Sequence, residues 1–156
     1  KIENIPLMFT GIQVLSPRIF DYVPRDCFSH STTHVYPRAI ERGEAITAHV
    51  SRGSWYELST LDRYLEASLL FMHKRGQTIF TGTNNQIEDG AMVEDAVLWD
   101  RVTVARGARI RHAVLGDEVR IPADALIENA VVVRRDLVNE IERGAVVGEN
   151  LVVPLG

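Results

Sequence analysis

An aliphatic residue recurs at Ile87, Val93, Leu98, Val104, Ile110, Leu115, Ile121, Ile127, Val132 and Val138, in steps of six or five. Two positions before nine of these rungs stand Ala91, Ala96, Val102, Ala108, Ala113, Val119, Ala125, Ala130 and Asp136, small or β-branched until the last. Longer segments repeat in the same register: Gly90-Ala91-Met92-Val93, Gly107-Ala108-Arg109-Ile110 and Asp124-Ala125-Leu126-Ile127 follow one another at 17 residues. A near-hexad of this kind matches neither the alternation of an ordinary strand nor the 3.6-residue period of a helix. It fits a triangular parallel β-helix, in which each hexad supplies a short strand on one flat face. The aliphatic residue then points inward and the small residue occupies the narrow space near a corner. Three hexads close one coil, so residues 87–138 make about three coils, and the β-helix with its C-terminal cap or tail is expected over 87–156.

The first half carries no such repeat. Met8 to Leu15 and Ala45 to Ser51 are rich in β-formers and read as strands. Ser16 followed by Pro17 reads as a cap and first-turn proline of a short helix running towards Pro24, and Gly43 as the left-handed stop of a second helix. Ser59 or Thr60 caps a third, with Leu61, Leu65, Leu69 and Met72 in one stripe and Tyr64 beside it. Strands alternating with helices make residues 1–75 a partial α/β domain, and the glycine- and asparagine-bearing stretch 76–86 a connection. So few strands look like the end of a larger sheet, and a start at Lys1 reads as that of a fragment.

Composition narrows the function classes. The net charge is -4, with 17 basic against 21 acidic side chains and no polybasic run, so nucleic acid and membrane surfaces are not expected partners. The single cysteine, Cys27, rules out an internal disulfide framework and suits a reducing, cytoplasmic setting. His30 and His34 could face one another on a helical turn, but zinc takes three or four protein ligands and no third is evident.

Three local motifs, in order, carry a resemblance. Phe9-Thr10-Gly11-Ile12-Gln13-Val14-Leu15-Ser16-Pro17, Tyr36-Pro37-Arg38-Ala39-Ile40 with Gly43, and Trp55-Tyr56-Glu57-Leu58-Ser59-Thr60 followed by Tyr64-Leu65-Glu66-Ala67 precede the hexads. Together the chain resembles the C-terminal portion of sugar-1-phosphate nucleotidyltransferases, an α/β segment followed by a left-handed β-helix. The resemblance implies transfer of a nucleotidyl group from a nucleoside triphosphate to a sugar 1-phosphate, with Mg2+ between the phosphates and pyrophosphate released. It places Glu57 as a metal ligand in a motif that ordinarily carries an aspartate, with Ser59 where that motif has glycine, and Thr10, Gly11 and Trp55 against the sugar. The residues leave other roles open: Glu57 as a solvated carboxylate at a helix start, Trp55 as a core aromatic, Gly11 as the mark of a bulge. No catalytic set is complete in this chain. The family's glycine-rich phosphate loop has no counterpart here before Gly76. The resemblance also implies a homo-oligomer, and Trp99, pointing outward from a coil, is the candidate interface residue.

Two other functions compete. A hexapeptide acyltransferase using acetyl-CoA needs a histidine as general base, and His112 is the one histidine within the coils, just after the inward Ile110. A non-catalytic assembly or regulatory module needs only the β-helix and an exposed contact such as Trp99.

Overall fold

A computed structural model describes residues 7–156, in two compact units, Lys1–Trp55 and Tyr56–Gly156. In the first unit a 3-10 helix, Pro17–Tyr22, begins directly after Ser16, and a single π-turn, Ser31–Val35, runs into helix α1, Tyr36–Glu41. Gly43 follows α1 with φ +84°, the left-handed stop expected there. Glu44 ties these pieces together, accepting from Tyr22 Oη at 2.9 Å and from Arg18 Nη2 at 3.1 Å. Its buried apolar residues, among those described, are Val35 and Ala39.

Neither expected strand of this unit forms. Met8–Leu15 and Ala45–Ser51 are irregular. A strand exists only when its N–H and C=O groups meet a neighbour, and no described residue of this unit lies in a ladder. Val14, 99 % exposed, shows that β-propensity without a ladder partner leaves the apolar face in solvent.

The second unit is built around the left-handed parallel β-helix of about three coils. Strands β1 (Ile79–Thr81), β3 (Met92–Leu98), β5 (Arg109–Leu115) and β7 (Leu126–Arg134) form one parallel sheet. A second holds β2 (Gln86–Ile87), β4 (Thr103–Val104) and β6 (Arg120–Ile121). Every parallel partner lies 17 residues away: Ala96 over Ala113 over Ala130, Leu98 over Leu115 over Val132. The strands β3, β5 and β7 each bend in the middle, at Asp95, His112 and Asn129, whose φ values of 47°, 50° and 47° turn the chain from one face to the next. The other two corners are also left-handed columns, Asn84, Arg101 and Glu118, and Gly90, Gly107 and Asp124. Asn, Asp and Gly reach this conformation readily, whereas Arg101, His112 and Glu118 are held there by the coils on either side.

The interior is the stack the repeat requires. Leu98, Val104, Ile110, Leu115, Ile121 and Val132 are buried together with the small residues Ala96, Val102, Ala108, Ala113 and Val119. At both ends the solenoid departs from the expected boundaries. It starts at β1, inside the stretch 76–86 read as a connection, because the rung that pairs with Leu98 is the polar Thr81. It stops before Val138, where a 3-10 turn, Arg135–Leu137, takes the chain off the coil. Strand β9 (Asn150–Pro154) then lies antiparallel on β7, with β8 (Ala145–Val147) outside it, so a hairpin caps the last coil. Asp136 stands where each earlier rung has a small or β-branched residue, and it binds Arg134 at the surface instead.

Helix α2 (Leu61–His73) covers the outside of the larger sheet. Its Leu65, Leu69 and Met72 meet Val97, Val114 and Val131, an outward stripe with the 17-residue period, and bury it. The helix therefore shares a unit with the β-helix rather than with the α/β half expected to end at 75. Thr60 caps it, Oγ1 accepting from Arg63 N at 3.2 Å. Asp62 in its first turn accepts from the Gly156 amide at 2.8 Å, and His73 at its last turn lies 2.8 Å from Asp95 on a coil corner. No helix among the described residues is long and apolar enough to cross a membrane.

Candidate functional site

The residues singled out for sugar and metal fall into different units. Thr10, Gly11 and Trp55 lie in the first. Thr10 and Trp55 are half-buried. Gly11 has φ +78° with open space where a Cβ would stand, so what it requires is backbone freedom rather than room. Glu57 lies in the second unit, just before α2, where its carboxylate is paired with the Arg63 guanidinium. The same Arg63 Nη1 reaches Ser59 Oγ at 3.1 Å. A hard cation such as Mg2+ needs several oxygen ligands. Among the described residues no group of three or more His, Cys, Asp or Glu side chains could hold a metal, and the one carboxylate the resemblance offers is already neutralised by arginine. The described residues do not make a magnesium site by themselves.

His30 and His34 stack at 6.0 Å between ring centroids, with His34 Nδ1 accepting from the His30 amide at 3.0 Å. Two imidazoles are fewer than the three or four protein ligands zinc takes, and no group of three or more possible ligands occurs among the described residues. Cys27 is exposed. His112 is a corner residue, its conformation serving the turn between two faces.

The second unit does gather side chains at one place. At the corner between the larger sheet and β2/β4/β6, Trp99 is 45 % exposed, and its Nε1 donates to Tyr64 Oη of α2 at 3.2 Å. The two rings meet nearly edge to face, 74° between planes and 6.4 Å between centroids. Trp99 sits in a column between Gly82 and Gly116, 17 residues before and after it, so no side chain from the adjacent coils covers its ring. Gly82 is required: a Cβ there would run into the Trp99 carbonyl, 2.9 Å away. Phe80, Thr83 and the carboxylates of Asp100 and Asp117 complete an open, shallow groove.

The two carboxylates are also structural. Asp100 Oδ1 accepts from the Thr83 amide at 2.7 Å, and Asp117 Oδ1 from the Asp100 amide at 2.9 Å, each linking one coil to the next. Asn85 Oδ1 does the same for Val102 N at 2.7 Å. The hydrogen bonds from Thr83 hold the Asp100 carboxyl below the usual carboxylate range, opposed weakly by desolvation and helped by nearby Arg101. A group whose pKa is lower folded than unfolded contributes stability above its unfolded value, near 3.9, and that contribution is lost as pH falls through the folded one. In urea titrations from pH 7 to pH 2, the wild type should therefore lose stability with acid more steeply than Asp100→Asn. Equal slopes would show that folding does not lower the Asp100 pKa, because the asparagine of Asp100→Asn keeps an oxygen that can still accept from the Thr83 amide.

The sequence identified Trp99 but not Tyr64, Asp100 or Gly82 as its neighbours. Glu118, at a coil corner, pairs with Arg101 at 2.9 Å and with Arg134 at 3.3 Å. The available signal was the 17-residue spacing, which puts Gly82, Trp99 and Gly116, and likewise Thr83, Asp100 and Asp117, in single columns.

Among known families, a model described as GlmU-like, C-terminal hexapeptide, matches residues 31–147, well over half of the chain. No curated protein matches it.

Proposed function

Because this chain belongs to the GlmU-like, C-terminal hexapeptide family, we propose that it is the C-terminal part of a cytoplasmic sugar-1-phosphate nucleotidyltransferase whose β-helix serves packing and assembly. A hexapeptide-repeat β-helix of this type is found with nucleotidyltransferase or acyltransferase chemistry. The observation that favours the former is helix α2: it occupies the outer face of the larger sheet through Leu65, Leu69 and Met72, making that face a packing surface. Acyl transfer is less well served. His112 is committed to a corner, and from β1 to β7 the short strands follow one another with only corner-length connections.

In the proposed reaction an oxygen of the sugar 1-phosphate attacks the α-phosphorus of a nucleoside triphosphate. The bond to the β-phosphate oxygen breaks and pyrophosphate leaves. Such a transfer depends chiefly on aligning the phosphates and neutralising their charge. Thr10, Gly11 and Trp55 are proposed to line the sugar pocket. Mg2+ is proposed as the cofactor that neutralises the phosphates; Glu57 would supply at most one of its ligands, after release from Arg63.

This chain alone should release no pyrophosphate from nucleoside triphosphates plus sugar phosphates, and transfer no acetyl group from acetyl-CoA. Turnover in the first assay would overturn the need for a further phosphate-binding part; turnover in the second would overturn the class. The reading frame upstream of Lys1 should encode a glycine-rich loop containing a basic residue. A start codon immediately before Lys1 would favour a non-catalytic assembly module. Copies are proposed to meet around Trp99. Size-exclusion chromatography with light scattering should show an oligomer that Trp99→Ala dissociates, and an unchanged oligomer would remove Trp99 from the interface.

A further inference from the structure

We propose that the groove beside Trp99 receives an arginine side chain from a second copy of this chain. The inference rests on the reading that copies meet around Trp99, and adds the chemistry of the contact. Trp99 presents an aromatic ring held at its N–H edge by Tyr64 Oη, and Phe80, 51 % exposed, borders the same groove. A guanidinium stacks favourably over an indole face, since the ring quadrupole attracts the cation and the planar group keeps its in-plane N–H donors free. The matching acceptor is Asp117. Its Oδ1 is engaged by the Asp100 amide, while its Oδ2 has no hydrogen-bond partner among the described residues.

The groove is not filled by the chain's own cations. The cation–π contacts among the described residues join Arg42 to Tyr22 and Lys74 to Phe71. Arg101, next but one to Trp99, turns to Glu118. A second copy is well supplied with the complementary group: of 17 basic side chains only Lys1 and Lys74 are lysines, and the rest are arginines. Two carboxylates at the groove repel phosphates and other anions, so substrate phosphate is not the fit here. Tryptophan, tyrosine and arginine are also the side chains that dominate protein–protein hot spots.

The test uses the whole chain. Light scattering across a concentration series is run on the wild type, Trp99→Ala and Asp117→Asn, and on the wild type with N-acetyl-arginine amide or methyl glucoside as competitor. In parallel, the Trp99 indole N–H resonance, assigned with the Trp99→Phe variant, is followed during both titrations. The proposal expects an oligomer weakened at least several-fold by Asp117→Asn and dissociated by the arginine compound, which also shifts the indole resonance saturably. The glucoside should do neither. If Trp99→Ala dissociates the oligomer but neither Asp117→Asn nor the arginine compound does, the interface stands and the arginine is wrong. A monomer at every concentration overturns both. Because Asp117 also bonds the Asp100 amide, the competitor on unmodified protein decides the matter if Asp117→Asn unfolds.

Discussion

Replacing Leu115 by alanine should destabilise the second unit by about 2–5 kcal/mol, the range for removing a fully buried leucine side chain. Leu115 is 0 % exposed, stacked between Leu98 and Val132 on the inside of the coils. The cost should fall toward the upper end, because the backbone ladders above and below hold the strands about 4.8 Å apart and keep the space from collapsing. Urea denaturation would show this as a lower midpoint with an unchanged slope. A loss below about 1 kcal/mol would mean that the coil interior repacks freely, contrary to the close stacking described here.

Val114→Asp should have an effect of similar size with a different signature. Val114 points the other way from Leu115, is 4 % exposed, and lies beneath Leu65, Leu69 and Met72 of α2. An aspartate there would be a buried charge facing three apolar side chains and no partner, at a cost of about 3 kcal/mol or more. The helix can escape that cost by leaving the sheet, which puts the new carboxylate in water. Hydrogen exchange should therefore show the α2 amides losing protection while those of β3, β5 and β7 keep it. Loss of protection throughout would mean that the helix and coils form one cooperative unit. The pair of substitutions separates two cores that lie back to back through a single strand.

The coil interior was legible because its chemistry repeats: an aliphatic residue every five or six positions and a small one two before it leave few other folds that can bury both. The ends were harder. Thr81 occupies a rung without being aliphatic, and the first coil's near side has only one neighbour, so a polar residue is tolerated there. Asp136, the one break in the small-residue series, did mark where the chain leaves the coil. The outer valine stripe was visible as Ala-Val-Leu and Ala-Val-Val runs, which are apolar on both faces as in any covered parallel strand, but only the structure shows that α2 is the cover.

The candidate site was less legible because its parts come from columns rather than from segments. Trp99 can be noticed singly in a sequence; that it stands between two glycines, with a tyrosine 35 residues earlier holding its indole nitrogen, cannot. In the first unit, Met8–Leu15 has the composition of a strand, yet its structure depends on a neighbour that local propensity does not supply.

The three left-handed corner columns restrict how this part of the molecule can change its length. Each coil closes at 17 residues because Asn84, Arg101 and Glu118 must lie one above another, as must Asp95, His112 and Asn129. A single inserted residue within a coil would send every later rung of that face outward and bring its solvent-facing neighbour in. Insertions are accommodated only if they bulge from a corner without altering the strands, or if they bring a whole coil. Natural length variants of this solenoid should therefore differ by multiples of one turn, with the hairpin β8–β9 carried along unchanged as the terminal piece.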